Sequence, residues 1–150
     1  MTTGETPIQA LFRLLNEIGI IAQLSGNAFE RVMPEGMTLP QFVVLNHLIR
    51  LGGDRTPLDL ARAMQVTKGA MTNTLHHLQA AGYISVRPDE RDGRSKRVNP
   101  TDCGRRARDA AIAALEPELS ALAEFVPAGE VRSVLPCLER LRRVLDERRG

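Results

Sequence analysis

Aromatic side chains are nearly missing from this 150-residue chain, which has no Trp, one Tyr and four Phe. Proteins that grip single-stranded nucleic acid stack its bases on aromatic faces, so that class loses ground. Cysteine is as scarce: Cys103 and Cys137 lie far apart and match no metal-ligand spacing. A reducing cytoplasm is the default compartment. Among three histidines, His76 and His77 are adjacent. They point about 100° apart on a helix and do not make the i, i+4 metal pair. No Gly-rich phosphate loop and no nucleophile elbow occurs. The chain is not expected to be an enzyme or to hold a metal or cofactor. No apolar run approaches the roughly 18 residues of a membrane span. The opening M-T-T-G-E-T-P has neither the basic start nor the long apolar core of a secretory signal.

What remains is a chain long enough for one core and too short for two comfortable ones. The net charge of +2 gains meaning only when divided. Residues 54–106 carry ten Lys and Arg against six Asp and Glu, while the rest carries ten against twelve. A modest basic region in a slightly acidic body suits a duplex-DNA binder, because phosphate contacts supply most non-specific affinity.

From Ile8 to about Val32, Leu11, Phe12, Leu14, Leu15, Ile18, Ile21, Ala22 and Phe29 recur at helical spacing, and Pro34 and Gly36 end the pattern. Thr38 is placed to cap a second helix with Pro40 in its first turn, Phe42, Val43, Leu45, Leu48 and Ile49 inward, and Gly52-Gly53 at its close. Thr56-Pro57-Leu58-Asp59 is a compact helix start, with Leu58, Ala61 and Met64 expected inward. The pattern breaks at Gln65-Val66, and Thr67 caps a helix over 68–81. Only three or four residues part these two helices, as a helix-turn-helix requires.

On the helix over 68–81, Met71, Thr74, Leu75 and Leu78 fall on one side and Gly69, Thr72, Asn73, His76 and His77 on the other. That outer face is polar, weakly charged and able to hydrogen-bond base edges. Gly82 ends the helix, residues 83–87 alternate as a strand, and Pro88 stops it. Asp89-Glu90-Arg91-Asp92-Gly93-Arg94-Ser95 forms a charged hairpin tip before Lys96-Arg97-Val98-Asn99 returns. Asp89 and Asp92 are placed to brace this loop, and Arg91 and Arg94 to reach a narrow minor groove. A groove-reading helix followed by a basic hairpin is the pattern of a winged helix-turn-helix.

Three stretches carry a family resemblance: Leu78-x-x-x-Gly82-Tyr83-Ile84, Asp89-x-Arg91-Asp92-x-Arg94, and Val98-Asn99-Pro100-Thr101-x-x-Gly104. They resemble the MarR (multiple antibiotic resistance regulator) family, in element order over most of the chain and most closely over 56–106. The resemblance implies a mainly α fold with a small β-hairpin wing and terminal dimerisation helices. It implies one domain over 1–150, with a winged lobe at 37–100 and helical dimerisation regions at 6–33 and 101–149. It also implies DNA contacts from Lys68, Thr72, Asn73, His76, His77, Arg91, Asp92, Arg94 and Lys96. Two departures stand out: Asn73 replaces a residue that is basic in many members, and Pro100 replaces the usual Leu.

Beyond the wing, Thr101 or Asp102 caps a helix with a small-residue stripe at Ala107, Ala110, Ala111 and Ala114, and Pro117 is expected to kink or restart it. Leu119, Leu122, Phe125 and Val126 continue its apolar face to Pro127. From Glu130 to the end, Val131, Val134, Leu135, Leu138, Leu141, Val144 and Leu145 mark an amphipathic helix with Cys137 inward and Arg148 and Arg149 at its close. Three broadly apolar helices at the chain ends exceed what one small core absorbs. A two-fold homodimer would bury them and present two recognition helices to a palindromic operator.

The resemblance further implies a repressor whose DNA affinity responds to small aromatic acids or to thiol oxidation. Arg13, His47, Arg50 and Arg87 are the candidate ligand-pocket residues, and Cys103, followed by Arg105 and Arg106, is the candidate reactive thiol. The family's peroxide sensors carry a first-helix cysteine, which this chain lacks. The rival reading is a winged helix used for protein contacts without specific DNA binding.

Overall fold

The computed structural model describes residues 4–148; Arg149, expected at the last helix end, lies outside them. Two compact units divide in sequence between Ala114 and Leu115.

In the first unit, α1 (Pro7–Val32) starts on a capping box, in which the Thr6 hydroxyl accepts the Gln9 N–H while the Gln9 side chain accepts the Thr6 N–H. A short 3-10 turn (Pro34–Gly36) follows. The helices α2 (Leu39–Arg50) and α3 (Pro57–Met64) open on the same device, with Thr38 and Gln41 and with Thr56 and Asp59. Each also has Pro in its first turn, where a missing N–H costs nothing. Gln65, left-handed at φ 57°, makes the tight turn into α4 (Lys68–Ala80), which Thr67 caps. Gly82 ends α4, and the antiparallel pair β1 (Ile84–Pro88) and β2 (Lys96–Pro100) forms the wing, with Val86 opposite Val98. A third strand position joins it, because Arg55 and Val98 exchange both backbone hydrogen bonds. Next, α5 (Asp102–Ala123) begins in this unit and ends in the second, which also contains α6 (Ala128–Glu147).

The core lies where α2, α3, α4 and β2 meet. Val44, Leu45, Leu48, Leu60, Met71, Leu78 and Val98 are fully buried there. At about 1.5–3 kcal/mol for each large apolar side chain removed from water, this cluster dominates the stability of the lobe. Two inward positions differ from the expected ones. Val44, not Val43, shares a stripe with Leu45 and Leu48, and Leu60, not Leu58, packs inward from α3. Val43 and Leu58 are each 39% exposed and line surface clefts instead.

One further expectation is narrowed and one fails. The helix α5 runs through Pro117 without a break. Proline there frees the Ala113 carbonyl, but Ala113 is exposed, so water can satisfy it and no restart is needed. Cys137 is exposed rather than buried, as is Cys103. Among the described residues no helix is long and apolar enough to cross a membrane.

Candidate nucleic-acid interface

The helix α4 presents two unlike faces. Met71, Leu75 and Leu78 are buried, while Gly69, Thr72, Asn73, His76 and His77 are all exposed. The Thr74 hydroxyl is spent on the Ala70 carbonyl at 3.1 Å, one turn back, so it is not a reading group. A Cβ at Gly69 would meet nothing within 4 Å, leaving the start of α4 open to close approach.

The wing is built by its aspartates. Asp89 Oδ1 accepts the Arg91 N–H at 2.9 Å and Asp92 Oδ1 accepts the Arg94 N–H at 3.1 Å. Two such Asx turns in succession curl the tip without any apolar core of its own. Backbone bonds from Asp89 to the Ser95 carbonyl and from Ser95 to the Asp92 carbonyl close it. Because their carboxylates bind backbone N–H groups, the aspartates leave the guanidinium groups of Arg91 and Arg94 without an ion pair among the described residues. Both side chains are exposed. The Arg91 N–H, and beyond it Arg97, hold the Asp89 carboxyl below its ordinary value despite the opposing effect of partial burial.

Arg97 is the residue that sequence reasoning missed. Its Nε lies 3.2 Å from Asp89 Oδ2 and its Nη1 donates to the Asp54 carbonyl at 3.3 Å. Next to it, Asn99 Oδ1 accepts the Asp54 N–H at 2.7 Å. Gly53 makes room for this: it is left-handed at φ 77°, and a Cβ there would stand 2.7 Å from Asn99 Oδ1. The loop before α3 is thereby clamped to the wing. A charge run of alternating sign hides such a pairing, because partners 43 and 45 residues apart follow from no local spacing.

The tip returns toward α4 as well. A cleft of about 260 Å³ is lined by Lys68 and Thr72 from α4, Arg94 and Lys96 from the wing, and Pro57 and Leu58 from α3. Four of the expected DNA-contacting residues thus converge on one depression. Asn73, His76 and His77 face outward from the middle of α4, and Arg91 and Asp92 sit at the tip. On the opposite flank of α4, Val43, Met64, Val66, Ala70 and Asn73 line a second cleft of about 490 Å³ that is largely apolar.

The expected pocket residues are spread over three elements. Arg13 of α1 pairs with Glu5 at 2.9 Å and lines a shallow groove with Ile8 and Phe12. His47 and Arg50 occupy the last turn of α2. Burial, and then the nearby charges of Arg55 and Arg50, lower the His47 pKa. Arg87 of β1 is exposed and stands opposite Arg97 in the strand register.

Residues 35–95, the turn before α2 through the wing tip, match the model of the MarR family. Over that stretch the chain is similar to the MarR family. A curated relative, the transcriptional activatory protein BadR of Rhodopseudomonas palustris (strain ATCC BAA-98 / CGA009), is 29% identical over 138 residues. That match covers 90% of this chain and 75% of BadR. Among solved structures, the transcriptional regulator BldR from Sulfolobus solfataricus superposes with a TM-score of 0.79 at 23% identity, over 95% of this chain and 99% of that one. A mutant MarR from E. coli, complexed with operator DNA, gives 0.73 at 24% identity, over 91% and 99%. These superpositions establish the MarR-type winged-helix fold over nearly the whole chain. BadR and BldR are both described as regulators of transcription.

Proposed function

We propose that this chain is a member of the MarR family and a homodimeric, sequence-specific binder of double-stranded DNA that represses transcription and loses operator affinity when a small ligand binds. The observation that carries DNA binding is the convergence of Lys68, Thr72, Arg94 and Lys96 on the cleft between α4 and the wing. Cations and hydroxyls on both walls suit a phosphate backbone, with the polar face of α4 in the major groove and Arg91 and Arg94 in the adjoining minor groove. Asp92 acts through the loop it shapes. His76 and His77 offer ring nitrogens to base edges. The MarR of E. coli complexed with operator DNA supports the same use of this fold.

The exposed apolar surface of the terminal helices supports the dimer. Its two-fold axis would set two α4 helices about one DNA turn apart, roughly 34 Å, on a palindromic operator. The apolar cleft beside Asn73 is large enough for a small aromatic molecule, and Arg13, Arg50 and Arg87 are the cations, with the His47 ring as a hydrogen-bonding group, for an acidic ligand elsewhere on the lobe and α1. The name of BadR describes an activatory protein. The same bound dimer represses or activates according to where its operator lies relative to the promoter, so a promoter fusion with and without the protein tests the sign.

DNA binding is tested by selecting duplexes from a random-sequence pool and measuring affinity across a salt series. Arg94→Ala should weaken binding about tenfold and, if Arg94 also neutralises a phosphate, lower the salt slope by about one, with the dimer intact. Unchanged affinity would sink the wing assignment. Failure to select any duplex at low salt, with the dimer intact, would favour a winged helix used for protein contacts.

A further inference from the structure

Tyr83 stands where four elements cross. Gly82 leaves α4 in the left-handed region at φ 79°, and the Tyr83 N–H closes that helix on the Leu78 carbonyl at 2.9 Å. The Tyr83 carbonyl accepts the Thr101 N–H at 3.1 Å where α5 begins, and the Thr101 hydroxyl donates to the Gly82 carbonyl at 2.6 Å. The first turn of α5 passes so close that a Cβ on Gly104 would collide with the Tyr83 carbonyl. The backbone at the exit of α4 is therefore pinned to the entry of α5.

The Tyr83 side chain then reaches a fourth element. Its hydroxyl donates to Glu35 Oε2 at 3.1 Å, in the turn between α1 and α2. Glu35 makes this contact from a left-handed backbone at φ 54°, which a residue with a Cβ adopts at some cost. The same corner is tied on its other side, where Glu30 Oε1 of α1 accepts the Leu39 N–H at the start of α2 at 2.9 Å. The end of α1 is thus joined to α2 by one carboxylate and to the exit of α4 by another.

We infer that Glu35 and Tyr83 are positioning residues for operator recognition: their hydrogen bond holds the exit end of α4 to the corner where α1 ends, and so sets the half-site spacing that the dimer accepts. The inference rests on the proposed reading of the chain as a dimer with α1 in its interface and α4 in the groove. In that dimer any shift of α4 relative to α1 is copied by the two-fold axis. A displacement of about 1.7 Å in each copy changes the separation of the recognition helices by about one base-pair rise, roughly 3.4 Å. A single hydrogen bond of well-defined length at this corner acts on the right scale.

The test uses the full-length protein and a duplex it selects from a random-sequence pool. Versions of that duplex with the half-sites moved one base pair closer or farther are compared by fluorescence anisotropy. The wild type should prefer the selected spacing by roughly tenfold. Tyr83→Phe and Glu35→Ala should bind the selected spacing within a few-fold of wild type, while their preference for it falls to about threefold or less, the size expected for one hydrogen bond. Glu35→Gln keeps an acceptor oxygen for the Tyr83 hydroxyl and should retain the wild-type preference. If Tyr83→Phe and Glu35→Ala keep the full preference, whatever happens to their melting temperature, the pair is a structural contact and the inference is overturned. An equal loss of affinity at all spacings overturns it too. If the wild type selects no duplex, the DNA-binding reading itself fails before any variant is made, and the inference falls with it.

Discussion

The winged lobe and the terminal helices use apolar residues in opposite ways. In the lobe, Leu45, Leu48, Leu60 and Val98 have no exposed surface at all. Its helices are short, from 8 to 13 residues, and each starts on a threonine cap. The helix α1 is twice that length and buries only Phe29, leaving Phe12 73% exposed and Ile8 81% exposed. No described residue of α6 is buried in the single chain, although an apolar stripe runs its length. Burial is what holds helices of this length in water, since propensity alone is marginal. The lobe supplies its own, whereas α1 and α6 present faces that a second chain would have to cover.

That contrast can be broken in several places. The largest effect is expected inside the lobe: Leu48→Ala should cost about 2–5 kcal/mol in chemical denaturation, because the emptied space has no way to collapse. A loss below about 1 kcal/mol would mean the lobe is not held by its own core. In α6, Leu135 is 44% exposed in the single chain, so Leu135→Asp should leave the fold of one copy untouched. Light scattering should nevertheless show monomers, with operator affinity down on the order of 10²-fold as two linked half-site contacts become one. A stable dimer would mean that this face of α6 is covered by something else.

Smaller effects sharpen the comparison within the lobe. Asn73→Ala should relax the preference at one or two base pairs by about 1–3 kcal/mol, read from competition between single-base variants of the selected duplex. A uniform loss on every sequence would place Asn73 on phosphate. The smallest effect concerns pH. The folded state lowers the His47 pKa, so below its ordinary value of 6.5 the unfolded chain takes up a proton more readily than the folded one. The neutral ring therefore contributes stability that is present above about pH 6.5 and is lost as pH falls through the folded value. His47→Gln should flatten this slope in thermal melts between pH 7.5 and 5.5. The wing brace behaves differently, because the depressed Asp89 carboxyl stays ionised throughout that range.

What sequence reasoning could read followed from local rules. The threonine caps, the turn at Gln65, the two faces of α4 and the aspartate-braced wing all depend on residues two to four apart. A helical stripe read without neighbours has no sharp edge, so spacing alone points Val43 and Leu58 inward. Their exposure has a physical reason, since each lines a cleft flanking α4. Of the kink or restart that Pro117 suggests, the restart is absent, because a lost hydrogen bond on a solvent-facing carbonyl is cheap. Periodicity alone points Cys137 inward, on a helix that one chain leaves uncovered. The Arg97–Asp89–Asp54 clamp, the Asn99–Asp54 bond and the Glu35–Tyr83 bond were illegible, because each joins segments with no local signal between them. The candidate DNA-contacting residues are legible in the sequence as a set of types on a face, and their convergence with the wing only from the fold.

The clamp at the base of the wing has a consequence for how such a protein can change. Arg55 pairs with Val98, and Arg97 and Asn99 hold Asp54, so the hairpin is anchored at its root, while residues 90–94 at the tip contribute nothing to the buried core. Root and tip are therefore under separate constraints. The tip is free to drift in sequence and length, and under the proposed function to trade one minor-groove preference for another, while the lobe that carries it stays folded.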